Sequence, residues 1–575
     1  MRVATLHQVP GTQSTDAHRQ ARRESLTRSP AAFRLLDVGP LCLRNRALRA
    51  NVSGTLNVAL NMNVLVWVTL LLALIQSVSA EEPLAGFADW LAAERERWQI
   101  PGMAVCIVQA DEIRFCEGLG TTRLGTSEAV DEHTLFGIAS LTKAFTATAL
   151  GLLVDEGELD FDEPVIRHMP DFRLSDPWAG AQVSAADLLS HRVGLGRMLG
   201  NRLQFMTHRE RSELIYRMRY HDFEQPFRQG YVYSNLMYLV AGELIPAITG
   251  QSWDGFVAER LFRPLDMARS NTSITALAGL DNIAWPHQEI DGEIMVIERR
   301  NFDNAGPAAS INASVRELAE WLRLNLGEPG VIDQQRLVSP EVMARIHAPA
   351  NLIGFDSNDE TILAYGLGWS LTRYADRHVL QHGGATDGMN SVIALVPSLD
   401  LGLVMTANLF THLRTAVVRE VIDRHLGKPD ADWGGHYFER FGELRAEARQ
   451  ARLELEAERQ ADTVSRFSPE MLAGRYHHPL YDVVEVFPAA DGLALRFWDD
   501  DSQVADLEHW HHNTFRAHWR NQAQRSKFVW FSADRDGRPV ELNVEFTLRP
   551  LVLEEGIYPA DYTRLVRFRR AADEP

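Results

Sequence analysis

Ser140 and Lys143 lie three positions apart in the segment Gly137-Ile-Ala-Ser140-Leu-Thr-Lys143. Residues i and i+3 share a helix face, so the serine hydroxyl and the lysine amine come within hydrogen-bonding reach of each other. A lysine held among apolar or cationic groups can release its proton and act as a base, which an arginine cannot do. The pair is therefore a candidate nucleophile with its partner amine, and it indicates acyl-enzyme chemistry.

The residues around this pair strengthen the interpretation of a weak four-residue pattern. The chain has 58 Lys and Arg residues, of which three are lysines: Lys143, Lys428 and Lys527. A lysine has thus been kept at a position where arginine could not do the chemistry. Residues 141–156 are mostly apolar, which predicts a buried helix with Ser140 at its N-terminus. There the helix dipole and the Ser140 N–H favour an oxyanion.

A second segment, Gly230-Tyr-Val-Tyr233-Ser-Asn235, offers a proton carrier and an amide. A tyrosine hydroxyl near a lysine ammonium gives up its proton more readily, so Tyr233 can pass protons to and from Ser140. Asn235 can hold Lys143 and donate to a substrate carbonyl. The alternative is that Tyr233 packs as an ordinary aromatic at a helix start. Tyr231 competes for the role but lacks an asparagine two positions later.

A third segment, Gln381-His382-Gly-Gly384-Ala385, has the glycines of a strand that a substrate backbone can approach. On an edge strand, the Ala385 N–H would complete an oxyanion hole with that of Ser140. His382 can carry part of a positive field or a proton, or it can be a strand histidine packed in a turn. Gly384 keeps the strand accessible to substrate.

These three segments, in this order, resemble the β-lactamase-like serine hydrolases: class C β-lactamases, D-Ala-D-Ala carboxypeptidases, D-aminopeptidases and related esterases. The resemblance covers roughly residues 83–425 and extends to Pro101-Gly-Met-Ala-Val, Asp187-Leu-Leu-Ser-His191, Arg263-Pro-Leu-Asp-Met267 and Tyr365-Gly-Leu-Gly-Trp369. It implies that Ser140 is the nucleophile and that Lys143 and Tyr233 transfer protons. It also implies that Asn235, His382, Gly384 and Ala385 frame the substrate.

One departure from the family pattern bears on the substrate. Class C β-lactamases usually have Lys-Thr-Gly where this chain has His382-Gly-Gly384. The change removes a fixed positive charge and a hydroxyl that would hold the carboxylate of a penicillin. We therefore expect a peptidase or esterase acting on small acyl or D-amino-acid-containing substrates, without a cofactor. The alternatives are a β-lactamase or D,D-carboxypeptidase, and a penicillin-binding sensor or non-catalytic binding protein.

The fold class expected is α+β: an antiparallel sheet flanked by helices, with an all-helical subregion and a small C-terminal antiparallel β-barrel. Strands are predicted near 103–118 and 367–408, with helices and loops between them. The domains expected are an N-terminal extension with a signal peptide (1–80), the hydrolase domain (81–430), a charged connecting helix (431–466) and the barrel (467–575). The sequence leaves the oligomeric state open.

The extension contains an apolar run, residues 64–75, of the length of a signal-peptide core and short for a membrane span. Val78-Ser79-Ala80 predicts cleavage after Ala80 and a periplasmic or secreted protein. The alternative is that the run is retained as a membrane anchor. Because residues 1–61 show no hydrophobic period, our hypothesis is that translation starts at Met62.

Charge and ligand chemistry restrict the partners. The net charge is −19 although the first 80 residues hold nine arginines against three acidic residues, so the remainder carries −25. A surface this acidic argues against binding nucleic acid and favours a small-molecule or peptide substrate. No metal is expected, because the C-terminal histidines lack metal-ligand spacing. These are His477, His478, His509, His511, His512 and His518.

Three cysteines are too few for a disulfide framework. Cys106 and Cys116 lie in a predicted hairpin formed by residues 103–109 and 112–118. If Ala110-Asp111 is a two-residue turn, Cys106 lies opposite Phe115, and the two thiols leave opposite faces of the sheet. We therefore expect two free thiols.

Overall fold

The computed structural model describes residues 82–571, except 197–202, 204–208, 291, 357–360, 429–430, 491, 522–523, 525 and 549–561. The predictions for residues 1–80, including the apolar run and the cleavage site, lie outside the described residues. The helices are α1 Phe87–Arg97, α2 Thr142–Asp155, α3 Pro177–Gln182, α4 Ala185–Leu189, α5 Arg211–Arg217, α6 Asn235–Thr249, α7 Trp253–Val257, α8 Gly306–Ala309, α9 Val315–Asn325, α10 Pro340–His347, α11 Leu413–His425, α12 Trp433–Ala457 and α13 Pro469–Leu472.

The strands of the N-terminal part fall into one large sheet and three short pairs. They are β1 Gly102–Gln109, β2 Glu112–Gly120, β3 Phe136–Gly137, β4 His287–Ile290, β5 Glu293–Val296, β6 Asn312–Ala313, β7 Val331–Ile332, β8 Gln335–Arg336, β9 Asn351–Asp356, β10 Thr361–Tyr365, β11 Ser370–Tyr374, β12 Arg377–Thr386, β13 Met389–Val396 and β14 Leu401–Ala407. The large sheet has the order β2-β1-β14-β13-β12-β11-β10-β9, and its strand pairs are antiparallel. Both ends of the domain thus complete one sheet, as the sequence predicts.

Apolar side chains cover both faces of this sheet, so it forms the middle layer of the domain. Residues 103–108 of β1 are fully buried. Met103, Val105 and Ile107 join the cluster that contains Phe87 of α1 and Val417 of α11. The alternate residues of β1 join the cluster that contains the apolar helix α2. This period of two, buried on both faces, explains why β1 reads as a continuous apolar run.

The expectation of free thiols in the β1–β2 hairpin is wrong. Cys106 and Cys116 form a disulfide and are direct cross-strand partners, with their Cα atoms 4.0 Å apart. The turn is the expected one, since Gln109 pairs with Glu112. A bulge between Ile107 and Val108 then shifts the register by one residue. A one-residue slip moves a side chain to the other face, which brings the two sulfurs together.

The C-terminal strands close into an eight-stranded antiparallel barrel, as expected. They are β15 Gly474–His478, β16 Asp482–Ala489, β17 Gly492–Phe497, β18 Val504–His511, β19 Thr514–Trp519, β20 Lys527–Ala533, β21 Pro539–Leu548 and β22 Tyr562–Arg570. β22 closes the barrel by pairing with β15. The charged helix α12 precedes the barrel.

The barrel contacts the hydrolase domain beside α5. Asp482 of the barrel accepts hydrogen bonds from Arg209 and Arg217, at 2.5 and 2.9 Å, and Arg217 also donates to the Pro479 carbonyl at 3.0 Å. Helix α5 packs in turn on α6. Within the residues that the structure describes, no helix is long and apolar enough to cross a membrane. Nor does this part of the chain hold three His, Cys, Asp or Glu residues grouped to bind a metal ion.

Candidate active site

Ser140 lies on a 3₁₀ turn, Ala139–Leu141, that leads directly into α2. Ala139 has a φ of +50°, a strained value for a residue with a Cβ. Hydrogen bonds fix the preceding residue: Ile138 N–H donates to the Ile311 carbonyl at 2.9 Å, and Ser391 Oγ donates to the Ile138 carbonyl at 2.8 Å. The turn therefore holds Ser140, partly exposed, at the start of a buried helix.

Lys143 is completely buried and its ammonium has three oxygen acceptors. Nζ donates to Ser140 Oγ at 3.1 Å, to Asn235 Oδ1 at 2.7 Å and to the Ala308 carbonyl at 2.9 Å. An ammonium has three N–H donors, so these contacts match its full capacity. They aim the amine at the Ser140 hydroxyl.

Tyr233 brings a second proton-carrying group to the same oxygen. Its hydroxyl donates to Ser140 Oγ at 2.8 Å, and its ring centroid lies 4.8 Å from Lys143 Nζ. The segment before α6 places both Tyr233 and Asn235, since α6 begins at Asn235. Ser140, Lys143, Tyr233 and Asn235, which lie up to 95 positions apart in the sequence, thus form one connected cluster.

His191 packs against the Tyr233 segment. It is completely buried, its ring lies 4.3 Å from the Tyr233 ring, and its Nδ1 accepts the Ser234 N–H at 3.2 Å. The buried Asp187 carboxylate ties this loop together through Arg192 and Arg228. Burial favours the neutral acid, but hydrogen bonds from Arg228 and the Ser184 N–H and the charge of Arg192 outweigh it and lower the pKa of Asp187.

His382, Gly384 and Ala385 lie on β12, which is an inner strand of the sheet and has a free edge only at its C-terminal end. β11 pairs with β12 no further than Gln381, whereas β13 pairs with it as far as Thr386. Tyr374 and Arg377 flank the turn Ala375-Asp376, in which both φ values are positive, so they form a hydrogen-bonded pair. In an antiparallel strand, the main chain of every second residue faces the same neighbouring strand. Ala385 lies eight residues after Arg377, so its main chain faces the edge that β11 leaves open.

His382 is held inside the protein. Tyr365 Oη donates to its Nε2 at 2.8 Å, and its Nδ1 donates to the Gly383 carbonyl at 2.7 Å. Burial, followed by the charges of Lys143 and Arg414, lowers the pKa of His382 to about 3. With its pKa lowered in this way, the His382 ring carries little positive charge near neutral pH. The ring instead braces β12 through Gly383.

Gly384 lies where β12 passes close to the Ser140 turn. A Cβ at this position would lie 2.2 Å from Ser391 Oγ and 2.3 Å from the Ile138 carbonyl. The Gly384 carbonyl accepts hydrogen bonds from Asn390 Nδ2 and Arg414 Nη1, both at 3.0 Å. Only glycine lets β12 approach the Ser140 turn this closely.

Sequence reasoning missed three of the groups that position this site. They are the Ala308 carbonyl, which accepts from Lys143, the Tyr365 hydroxyl, which holds His382, and Arg414, which holds Gly384. A main-chain carbonyl leaves no residue-type signal. Tyr365 lies in one of the segments that carry the family resemblance, so that segment could have drawn attention to it.

Comparison with known proteins places the chain in a family. The Beta-lactamase family model matches residues 87–427, so the chain belongs to this family. Residues 458–555 match a domain of unknown function, DUF3471, which overlaps most of the barrel.

Individual relatives include a hydrolase. The unguisins hydrolase of Aspergillus campestris is 31% identical over 377 residues, which cover 61% of this chain and 67% of that protein. The octameric penicillin-binding protein homologue of Pyrococcus abyssi has a TM-score of 0.54 at 18% identity, covering 81% of this chain and 98% of that chain. The D-amino acid amidase of Ochrobactrum anthropi, solved with D-phenylalanine, has a TM-score of 0.51 at 22% identity, covering 60% and 99%. The two structures establish the fold.

Replacing Gly384 with alanine should reduce kcat/KM by about 100-fold, because the added methyl group displaces β12 from the Ser140 turn. Gly442→Ala is the matched control, since no atom lies within 4 Å of its added Cβ. Ester hydrolysis and thermal unfolding would be measured for both. Equal activities in the two variants would show that the close approach of the strand is unimportant.

His382 should stay neutral across the working pH range. Because its folded-state pKa is about 3, below the ordinary 6.5, its contribution to stability is complete above pH 6.5 and declines as the pH falls toward 3. The kcat/KM profile of His382→Gln on an uncharged ester should be lower than that of the wild type but have the same inflection points. An inflection near pH 6.5 that the substitution removes would contradict the neutral ring.

Proposed function

We propose that this protein is a serine hydrolase that forms an acyl-enzyme on Ser140 and acts as a peptidase or esterase on small acyl or D-amino-acid-containing substrates. The observation that carries the proposal is the convergence of the Lys143 amine and the Tyr233 hydroxyl on Ser140 Oγ, at 3.1 and 2.8 Å. Two proton carriers on one hydroxyl are what an activated serine needs. Membership of the Beta-lactamase family and the relationship to a hydrolase agree with it.

In the reactive form, one group of the Lys143–Tyr233 pair has lost a proton, and it accepts the proton of the Ser140 hydroxyl while Ser140 Oγ attacks the substrate carbonyl carbon. The N–H groups of Ser140 and Ala385 stabilise the oxyanion. The bond to the leaving group then breaks, and Tyr233 returns the proton to the departing oxygen or nitrogen. Water attacks the acyl-enzyme by the same route and releases the acid and free Ser140.

The surroundings of His382 favour a peptidase or esterase over a β-lactamase. A lysine at this position would supply a fixed positive charge for the carboxylate of a β-lactam. The buried neutral imidazole, bound to Tyr365 and Gly383, supplies none. Substrates that carry no carboxylate beside the scissile bond fit this end of the site better.

The Cys106–Cys116 disulfide supports an exported protein, since such bonds persist in oxidising compartments. It agrees with the proposed signal peptide and with a periplasmic or secreted location.

The function is tested with 4-nitrophenyl acetate, a D-alanyl 4-nitroanilide and the chromogenic cephalosporin nitrocefin. We expect turnover of an ester or amide and little turnover of nitrocefin. Ser140→Ala should lower kcat by at least about 1,000-fold without loss of fold, and Lys143→Arg should be nearly as damaging. The matched controls are Ser127→Ala, at an exposed position, and Lys527→Arg, in the barrel.

Three results would contradict parts of this proposal. Full activity in Ser140→Ala would show that Ser140 is not the nucleophile, and full activity in Lys143→Arg would show that Lys143 is not the base. Efficient nitrocefin hydrolysis would favour the β-lactamase alternative. Stable labelling by a fluorescent penicillin, without turnover of any of the three substrates, would favour a sensor.

A further inference from the structure

A cavity beside the Ser140 turn has no role in the mechanism described above. Its volume is about 50 Å³, which is room for a few water-sized groups such as a carboxylate and the methylenes next to it. Three of its lining residues are neighbours of site residues: Gly137 lies three positions before Ser140, Thr386 follows Ala385, and Ala309 follows Ala308. The cavity therefore lies close to the proposed active site.

The position of the cavity along β12 indicates which part of a substrate it would receive. In the proposed mechanism, Tyr233 protonates the leaving group. The Tyr233 ring lies against the His191 ring, and the His191 ring centroid lies 4.8 Å from that of Tyr365. Tyr365 in turn is hydrogen-bonded to His382. The leaving group therefore departs toward the His382 end of β12. Thr386 is four residues further along the strand, about 13 Å away. Gly384, which faces the Ser140 turn, lies between His382 and Thr386, so the cavity at Thr386 would receive the acyl group.

The walls of this cavity are mostly apolar and carry two guanidinium groups. The apolar lining includes Ile274, Leu277, Ile283, Pro286, Phe302 and Met389. Arg300 is ion-paired with Asp387 at 2.5 Å. Asp303, the other acid in the lining, accepts hydrogen bonds from Ser273 Oγ and the Ile274 N–H. Both carboxylates therefore already have partners.

Arg299 differs from Arg300 in its contacts. Its Nη2 donates to the Ala284 carbonyl at 3.0 Å, and its guanidinium lies 4.0 Å from the Trp285 ring centroid. Among the described residues, no carboxylate comes within ion-pairing distance of it, and its buried Nε has no acceptor. Burial, with the charge of Arg123 as a smaller cause, lowers the pKa of Arg299 to about 10. A cation held rigid by stacking and only partly solvated is a ready partner for an anion.

We propose that Arg299 binds a carboxylate at the far end of the substrate's acyl group. The substrate class is then an ester or amide whose acyl chain is apolar in its middle, to match the cavity wall, and ends in a carboxylate. This inference rests on the proposed function, since it concerns the substrate of the same site. It assigns Arg299 as a specificity-determining residue that takes no part in the chemical steps.

The test compares two 4-nitrophenyl esters of equal carbon number, the mono-ester of adipate and the ester of hexanoate. Wild type should prefer the acid-bearing ester by about tenfold or more in kcat/KM, and 0.5 M NaCl should reduce this ratio. Arg299→Met should bring the ratio close to one. Arg123→Met is the matched control, because Arg123 lies 4.3 Å from the same Trp285 ring but does not line the cavity, and it should keep the wild-type ratio.

Glutarate and suberate esters extend the test to shorter and longer chains. A ratio near one in wild type for every chain length would overturn the inference and leave the proposed function intact. Absence of any Ser140-dependent turnover of both esters and amides would instead overturn the proposed function. If Arg299→Met fails to fold in a thermal unfolding measurement, free adipate is used as an inhibitor of wild-type hexanoate ester hydrolysis. Competitive inhibition by adipate, but not by adipamide, would support the inference, and equal inhibition by both would overturn it.

Discussion

The completely buried ammonium group of Lys143 is the constraint on which the rest of the site depends. A buried cation without partners is strongly unfavourable, so the fold must supply three acceptors at the right positions. Each comes from a different part of the chain: Ser140 before α2, Asn235 at the start of α6, and the Ala308 carbonyl in α8. Satisfying this one group therefore fixes three elements relative to each other.

The elements around Lys143 also position the other groups of the site. Because α6 begins at Asn235, the residues just before it bring Tyr233 to Ser140 Oγ. Gly384 lets β12 approach the Ser140 turn, and the end of β11 at Gln381 leaves the main chain of Ala385 facing an open edge. In the proposed mechanism, substrate enters along this edge and meets an already positioned serine. Arg299 and the neutral His382 would then distinguish the two ends of the substrate by charge.

Much of this arrangement could be predicted from the sequence, because residue type carries the chemistry. Ser140, Lys143, Tyr233 and Asn235 were identified from side chains whose types and order indicate acyl transfer, and the structure brings them together. The sheet completed by both ends of the domain followed from strand patterns near 103–118 and 367–408. The closed C-terminal barrel followed from short alternating strands and turn residues.

Features that depend on register or on the main chain could not be predicted in this way. The bulge at Ile107 and Val108 brings Cys106 opposite Cys116, and no residue type in the hairpin predicts this bulge. The role of the Ala308 carbonyl cannot be predicted from a motif, because every residue has a main-chain carbonyl. The strands β9 and β10, residues 351–365, were not predicted either. The neutral state of His382 depends on burial and on the charges of Lys143 and Arg414, which only the folded arrangement reveals.

Peptide mapping after acid quenching would show whether Ser140 carries the acyl group, as proposed. The protein would be mixed briefly with a slowly deacylating ester or a fluorescent penicillin, digested and analysed by mass spectrometry. We expect one adduct, on Ser140, that is absent from the Ser140→Ala protein. An adduct on another residue that persists in Ser140→Ala while turnover continues would contradict it.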